Sequence, residues 1–530
     1  MSDYSQNENK NSESENRNRV AENLIHGNYG TDMENTTGKS LKTKIFMMNA
    51  LAFLFLLICI FSIFSFFLIS TKNSDKYSVP IIIGSLIIAV AAFLVGIKLV
   101  QTLSRFNERL IPFFLFFFSF SIYLCWILMT RITPTSDYKV LYDGALSILD
   151  GTFIHDASST SSYFYMFNFQ IPYTAFMALC MKLFGRSYFT LQLIEAIIQA
   201  GVVCAFYSCI KKMSNVKPAF FSAMVFSLLS FNIVGSGIVN NQHVALLFAL
   251  IGLRFMLSDT PQDGSIAGLF FSLSVLSRKS SLIFVVALLC YLVVYLFSGA
   301  GVKEKLVLVS KHIGMFLVYF LCTSMICTLL VNINIAYDSP SKDRTPYYKL
   351  LRGTVGNSLY GSSTESAIKT ALYFDLESIG FDYDVYNRES KEAVLNELKT
   401  PAKLAKHSYE QMTEFVGRED NQRYFKTHFT SAVTNLSYVG YMQYLIILLL
   451  SAFFILIPNK PELSYIFIIA FIGFFLVHIF IERQSRYRYE MYVVLAMCSG
   501  FSINYLSERG RDIFNDAARR FIPKNRKTDK

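Results

Sequence analysis

The sequence predicts an all-α polytopic membrane protein, and two observations support this class. Of its 530 residues, 53% are hydrophobic and only 16% are charged, whereas soluble proteins carry about 25% charged residues. The apolar residues also come in blocks long enough to cross a bilayer, which takes roughly 20 residues in a helix. Residues 45–70 form such a block, without a single charged residue.

Apolar segments of this kind recur along the whole chain. Two of them, 171–184 and 265–276, are short for a full crossing. We therefore expect a bundle of about 11–13 transmembrane helices, and we prefer twelve because an even number keeps the basic C-terminal tail in the cytoplasm. The candidate segments are 45–70, 80–97, 111–130, 171–184, 188–210, 219–238, 241–257, 265–276, 281–297, 311–332, 436–457, 463–481 and 489–506.

The basic residues predict how the chain is oriented. Lys39, Lys42 and Lys44 precede the first span, and residues 509–530 form a basic tail, so the positive-inside rule places both termini in the cytoplasm of a multi-pass cell-membrane protein. The net charge of +11 is thereby explained by the lipid bilayer as partner. We find no nucleic-acid-binding motif, and we expect no nucleic acid as partner.

This topology predicts seven regions. Residues 1–44 are poor in apolar residues and predict a disordered cytoplasmic tail without the pattern of a cleaved signal peptide. The others are three transmembrane helices in 45–130, an outer loop at 131–170, a transmembrane bundle at 171–332, an outer insert at 333–435, the C-terminal transmembrane helices at 436–506 and a basic cytoplasmic tail at 507–530.

The outer insert is predicted to be mainly helical. Lys, Glu, Ala and Leu dominate residues 390–414, as is typical of helices. Thr400 and Pro401 divide this stretch, because Pro is favoured as the first residue of a helix. An insert of this size between spans commonly carries function, and a structural spacer remains the alternative.

The first outer loop contains a predicted amphipathic helix. In residues 133–151, TPTSDYKVLYDGALSILDG, apolar side chains fall at Tyr138, Leu141, Tyr142, Ala145 and Leu149, which is one helical face. Ser136 is the expected N-cap and Gly151 the expected stop. The segment is too short to span and should lie in the outer interface. Asp137 stands in its first turn, where an acid either serves chemistry or stabilises the helix start.

The order of several short motifs resembles that of GT-C glycosyltransferases. A span followed by Pro, Asp and an amphipathic helix is similar to the first outer loop of that superfamily, which includes protein O-mannosyltransferases, aminoarabinose transferases and bacterial wall-polymer glycosyltransferases. The resemblance covers most of residues 110–300 and 480–505. Its further motifs are YFYMFNFQIPY at 163–173, LFG at 183–185, LSR at 276–278 and ERQSRYRY at 482–489.

The resemblance implies an inverting transfer of sugar from a polyprenyl-phosphate donor to an extracytoplasmic glycan or polymer acceptor. Such a reaction needs a base for the acceptor hydroxyl and cations for the departing phosphate. Asp137 is the candidate base, and Arg486, Arg488 and Lys139 are candidates for the phosphate. Candidate lipid- and sugar-binding residues are Tyr138, Tyr142, Tyr163, Tyr165, Tyr173 and Tyr487.

No organic cofactor is implied, and a divalent metal is left open. Many members of the superfamily follow the Asp with Glu, whereas Tyr138 takes that place here. The nine cysteines all lie in apolar stretches, without metal-ligand spacing, and read as buried apolar side chains.

Two other functions and one polar helix face stay open at this stage. A surface polysaccharide polymerase or ligase would also have many spans and an outer loop, and a lipid or polysaccharide transporter is an alternative of another class. Gln192, Glu195 and Gln199 share one face of a span, where they either serve function or pack helices together. His243 is interpreted as a boundary residue rather than a ligand.

Overall fold

The computed structural model describes residues 38–72, 108–356, 379–417, 425–427 and 429–521, with isolated positions at 83–84, 87, 91, 94, 98 and 376. The candidate span at 80–97, most of the N-terminal tail and part of the outer insert lie outside this description. Within it, six helices are long and apolar enough to cross a membrane, and four shorter helices are also apolar. The predicted all-α membrane class is confirmed.

The first half of the chain contains the outer loop and the bundle that follows it. Its helices are α1 (Gly38–Lys72), α2 (Ile111–Thr130), α3 (Ser136–Leu149), α4 (Phe153–Ser158), α5 (Tyr163–Met166), α6 (Ile171–Phe184), α7 (Tyr188–Met213), α8 (Val216–Leu228), α9 (Ser230–Gly235), α10 (Asn241–Met256) and α11 (Asp263–Ser277).

The second half contains the outer insert and the last helices. Its elements are α12 (Leu282–Leu296), α13 (Val302–Asn332), α14 (Tyr348–Leu351), α15 (Tyr383–Leu398), α16 (Pro401–Gly417), α17 (Thr430–Phe454), α18 (Ser464–Phe480) and α19 (Tyr489–Phe521). Two short strands, β1 (Thr133–Pro134) and β2 (Phe425–Lys426), pair antiparallel, with Thr133 opposite Lys426.

Most predicted spans coincide closely with these helices, because long apolar blocks leave few other conformations in lipid. The segment predicted at 219–238 is different. It is broken between α8 and α9, where Leu229 takes an extended conformation. The side-chain oxygen of Gln443, on α17, accepts a hydrogen bond from the backbone N–H of Ser230 at this break, at 2.8 Å. The Thr400–Pro401 division is confirmed, since α16 begins at Pro401.

Helices α10 and α11 form an antiparallel pair that defines the two ends of the bundle. Asn241 at the start of α10 meets Arg278, just past the end of α11, at 3.1 Å. We call this the site end, because the candidate residues lie there. At the opposite end, the buried ammonium of Lys311 donates to the carbonyls of Met256 and Ser258 at 3.0 and 2.6 Å, which satisfies the last turn of α10.

Glycines allow α11 and α13 to approach each other closely. A Cβ atom at Gly264 would lie 2.1 Å from the Lys311 carbonyl oxygen, and one at Gly268 would lie 2.3 Å from that of Met315. Small residues at this spacing are typical of packed membrane helices, whose association depends on close van der Waals contact.

Helix α6 begins and ends at the site end of the bundle. Gln170, which precedes it, accepts from Asn241 at 3.1 Å. Arg186, which follows it, pairs with Asp150 of the outer loop at 2.7 Å. This placement favours 171–184 over 265–276 as the short segment that does not cross, and the assignment stays a prediction. The total of twelve crossings stays a prediction, since it also requires the segment at 80–97.

The amphipathic helix of the outer loop forms as α3, with the predicted face turned inward. Tyr138, Leu141 and Ala145 are buried, and the helix packs along α6. The predicted N-cap was wrong by one residue: Thr135 occupies the cap position in an extended conformation, and Ser136 is the first helical residue, at a φ of 51°. Gly151 does end the helix, with a φ of 73° that glycine tolerates.

Candidate active site at the site end of the bundle

The carboxylate of Asp137, in the first turn of α3, contacts the guanidinium of Arg486. Asp137 Oδ2 lies 3.3 Å from Arg486 Nη2, and Arg486 Nη1 donates to the hydroxyl of Tyr138 at 2.9 Å. The side chain of Asp137 is 47% exposed, whereas that of Arg486 is 17% exposed. The candidate base and one candidate phosphate ligand, predicted from distant segments, are therefore neighbours.

Arg486 is held by its backbone as well as by its side chain. It lies in the short turn Ser485–Arg488 that precedes α19, and the buried side chain of Gln242 donates to its carbonyl at 2.8 Å. Burial disfavours the charged guanidinium, but Tyr138, Tyr487 and Asp137 outweigh this effect and hold the pKa of Arg486 well above its usual value. The side chain is therefore a permanent cation.

Three cations surround the ring of Tyr487. The guanidinium carbons of Arg278 and Arg486 lie 5.2 and 5.5 Å from the ring centroid, and Nζ of Lys349 lies 5.6 Å from it. Lys349 also donates to the Tyr487 hydroxyl at 3.3 Å. Cations in this position are attracted by the face of an aromatic ring. We call Arg278, Lys349 and Arg486 the cation cluster.

Each member of the cation cluster is paired with one acid. Arg278 Nε lies 3.2 Å from Glu490 Oε1, and Lys349 contacts Glu482. Both of these glutamates are buried, with 2% and 4% of their side chains exposed. Asp137, the partner of Arg486, differs because about half of its side chain is exposed to solvent. It is the acid of the three that an incoming molecule can reach.

Lys349 comes from the outer insert, which is docked on the segment that carries Arg486. The Glu482 backbone N–H donates to the Lys349 carbonyl at 2.9 Å. A Cβ atom at Gly353 would lie 2.2 Å from the Phe480 carbonyl oxygen, so only glycine permits this approach. Sequence reasoning missed Lys349, because nothing in its neighbourhood marks it before the insert folds back. Arg278 lies in the LSR motif but was not predicted as a phosphate ligand.

The outer insert also covers the outer loop. Asn168 is buried and donates to the carbonyls of Ser339 and Lys342 at 3.2 and 2.6 Å. The guanidinium carbon of Arg344 lies 3.6 Å from the ring centroid of Tyr165. Contacts of this kind favour an insert that is part of the site over one that is only a spacer.

Two predicted phosphate ligands make their described contacts outside the cation cluster. Arg488 is 1% exposed, and its guanidinium packs on the rings of Tyr444 and Tyr492 at 4.8 and 5.8 Å. Lys139 is exposed on α3 and pairs with Asp143 at 2.5 Å. These placements favour bundle packing for Arg488 and a helix-surface ion pair for Lys139, and a phosphate role for either stays a prediction.

The predicted tyrosines fall into two groups. Tyr138, Tyr163 and Tyr487 lie beside the Asp137–Arg486 pair. Burial, and after it the charge of the nearby Asp137 carboxylate, raises the pKa of the Tyr163 hydroxyl. The other three tyrosines make their described contacts elsewhere. Tyr142 donates to the Arg186 carbonyl at 3.0 Å, Tyr165 packs on Tyr383 at 5.2 Å, and Tyr173 is 1% exposed.

The polar face of α7 is occupied by hydrogen bonds between helices. Gln192 donates to the carbonyls of Ile132 and Gly237 at 3.1 and 2.7 Å. Glu195 contacts His243 Nδ1, and Gln199 Nε2 lies 2.5 Å from His243 Nε2. His243 lies in the first turn of α10, at the predicted helix boundary, and is a buried member of this polar network.

The acids around Asp137 do not form an all-protein cage for a divalent cation. A cage of that kind supplies several oxygen ligands at once, whereas the two nearby glutamates are each paired with Arg278 or Lys349. In the part of the chain that the structure describes, no three His, Cys, Asp or Glu side chains gather as metal ligands.

Comparison with known proteins finds a family resemblance over part of the chain. Residues 171–327, from α6 into α13, match the family described as dolichyl-phosphate-mannose-protein mannosyltransferase. This match confirms the resemblance to GT-C transferases over that segment. The fold thus defines an all-α, multi-pass membrane protein, with the resemblance to these transferases limited to residues 171–327. No curated protein matches the chain in sequence.

Among solved structures, the chain is similar to the oligosaccharyltransferase of Archaeoglobus fulgidus. The apo form is 14% identical with a TM-score of 0.43, and the match covers 77% of this chain and 52% of that one. A form of the same protein, AglB, in complex with an inhibitory peptide and a dolichol-phosphate is 14% identical with a TM-score of 0.43, covering 78% and 52%. The chain spans about half the length of these structures.

Proposed function

We propose that the protein transfers a sugar from a polyprenyl-phosphate donor to a hydroxyl group of an extracytoplasmic acceptor, a cell-wall or surface polymer. The observation that carries this proposal is the half-exposed carboxylate of Asp137 next to the cation cluster around Tyr487. Transfer of a glycosyl group needs a base and a phosphate-binding cation that are no farther apart than the length of one sugar phosphate. The family match over residues 171–327 supports the same reaction class and a lipid-linked donor.

The cation cluster suits the leaving group. Guanidinium groups bind phosphate oxygens through paired N–H donors, and Arg278 and Arg486 present two such groups on one tyrosine ring. Fixed cations stabilise negative charge that develops in the transition state without having to reorganise. Lys349 adds a third cation from the outer insert.

Asp137 suits the acceptor. In the proposed reaction, the acceptor hydroxyl gives its proton to the Asp137 carboxylate as its oxygen forms a bond to the anomeric carbon of the sugar. The bond between that carbon and the phosphate oxygen breaks, and the polyprenyl phosphate leaves with the electron pair. Attack opposite to the leaving group inverts the anomeric carbon. A positioned base of this kind contributes about 10²–10⁴-fold in rate.

The ion pair between Asp137 and Arg486 is compatible with both roles. Its acid side is half exposed, so solvent screens the attraction between the two groups. A phosphate can therefore take over the Arg486 guanidinium, and the carboxylate is then free for the acceptor hydroxyl.

The test combines membranes that contain the protein with intact cells. Membranes that contain the protein should convert a polyprenyl-phosphate sugar into free polyprenyl phosphate in an amount equal to the sugar transferred. Cells lacking the gene should lose one sugar from a wall polymer or surface glycolipid, which identifies both sugar and acceptor. A transporter would move the lipid-linked sugar across vesicles without releasing polyprenyl phosphate, and that result would replace the proposal.

A further inference from the structure

The start of α10 carries four consecutive polar side chains that are buried between helices. Residues 240–243, Asn-Asn-Gln-His, are all buried. Burial of so many polar groups is unfavourable unless each one is hydrogen-bonded. Their partners therefore indicate what this segment does.

Two of these residues hold two members of the cation cluster. The side-chain oxygen of Asn241 accepts from Arg278 Nη1 at 3.1 Å. The side-chain amide of Gln242 donates to the backbone carbonyl of Arg486 at 2.8 Å. Since Asn241 and Gln242 are adjacent in one helical turn, the separation between the two arginines is fixed by a single rigid element.

The other two residues attach that turn to α7. The Asn240 backbone N–H donates to Glu195 Oε1 at 3.4 Å, and the same oxygen contacts the ring of His243. The Asn240 side chain caps α10 by accepting from the Gln242 backbone N–H at 2.6 Å. The buried carboxylate of Glu195 thus anchors the turn that positions both arginines.

We propose that Asn241 and Gln242 are positioning residues that set the distance between Arg278 and Arg486 for the carrier phosphate, an inference that rests on the proposed function. One phosphate group can bond both guanidinium groups only at a narrow range of separations. A misplacement of about 1 Å in a binding group can cost on the order of 100-fold in rate. Neither residue needs to touch the donor.

The test measures binding of polyprenyl monophosphate to the purified protein and transfer kinetics in the same preparation. Gln242→Met keeps the side-chain length but removes the amide that bonds Arg486. We expect about tenfold weaker binding of polyprenyl monophosphate and a matching rise in donor KM, with acceptor KM unchanged. Gln242→Asn keeps the amide but is too short to reach, and should act in the same direction if the Met variant does not fold.

The control is a second glutamine that bridges backbone groups elsewhere. Gln443 bonds the Leu228 carbonyl at 3.0 Å and the Ser230 N–H at 2.8 Å, at the α8–α9 break. Gln443→Met should bind polyprenyl monophosphate like the wild type. Equal binding by the Gln242 and Gln443 variants would overturn the positioning role. Absence of binding by the wild type would instead contradict the proposed function, so the two failures are distinguishable.

Discussion

The Asp137 carboxylate and the Arg486 guanidinium lie 3.3 Å apart, although 349 positions separate them in the chain. The first outer loop and the turn before the last helix therefore build one site. In the proposed reaction, this contact implies an order of events in which donor binding withdraws Arg486 before Asp137 accepts the proton.

Arg486→Ala should weaken donor use while leaving the fold intact. Arg486 bonds Tyr138 and Asp137 at the site end, and the loss of a hydrogen bond to a charged group is worth about 1.5–3 kcal/mol. Donor kcat/KM should fall by roughly 10- to 150-fold. The measurement is transfer at limiting donor with equal amounts of folded protein.

Arg488→Ala provides the matched comparison in the same turn. Its guanidinium packs on Tyr444 and Tyr492 inside the bundle, so the variant should lower the thermal midpoint of the detergent-solubilised protein more than it changes donor KM. A larger loss of donor use for Arg488→Ala than for Arg486→Ala would reverse the two assignments.

The sequence predicted the helices better than it predicted the site. Apolar blocks and helix signals such as Pro401 and Gly151 act locally, and so the segments 111–130 and 171–184 match helices residue for residue. The cation cluster depends on contacts between distant segments. Lys349 is one lysine in a polar insert until Gly353 allows that insert to dock on the chain at Phe480. No periodicity or motif encodes that contact.

Arg488 illustrates the converse limit. Arg486 and Arg488 are two positions apart and look equivalent in the sequence. In the short turn before α19 their contacts diverge: one meets α3, and the other enters the bundle beside Tyr444. The direction in which each side chain points from an irregular turn is set by packing, which the sequence alone does not specify.

Sidedness can be tested with single cysteines in a background without native cysteines. Ser159→Cys in the outer loop and Ser341→Cys in the outer insert are exposed at the site end, and both should react with an impermeant thiol reagent on intact cells. Thr260→Cys, exposed in the turn between α10 and α11 at the opposite end, should react only after lysis. The reverse pattern would invert the topology inferred from the basic flanks.

The pairing of Glu482 predicts a dependence of stability on pH. Burial raises the pKa of the Glu482 carboxyl, but Lys349 and Arg352 outweigh it, so that the pKa lies below its ordinary value of 4.5. A depressed pKa means that the ionised form stabilises the fold above pH 4.5 and that this stabilisation is lost as the pH falls through the lower, folded-state pKa.

Glu482→Gln isolates this contribution. The difference in thermal midpoint between wild type and variant should be constant from neutral pH down to about pH 5 and should shrink below it. Asp143→Asn is the control, because its exposed pair with Lys139 is worth little. A wild-type advantage that persists undiminished to about pH 3 would show that Glu482 is not held ionised by its neighbours.

Asp137→Asn separates catalysis from helix stabilisation at one position. Asn has nearly the same size, and the structure assigns the cap of α3 to Thr135, so no cap is lost. The variant loses a favourable charge at the helix start, worth about 1 kcal/mol, and an attraction to Arg486 that solvent screens on the acid side. It should therefore be inserted and folded like the wild type. An amide cannot take a proton from the acceptor hydroxyl near neutral pH, so transfer should fall by about 10²–10⁴-fold.

Asp143→Asn is the matched control on the same helix. Asp143 is six residues farther along α3, about 240° around it, and pairs with Lys139 rather than Arg486. Its variant should transfer sugar at the wild-type rate. The measurement is transfer of labelled sugar from a polyprenyl-phosphate donor, in membranes with equal amounts of each variant. Full activity of Asp137→Asn would leave Asp137 only its favourable charge at the start of α3, and the base would have to be sought among the other groups around Arg486.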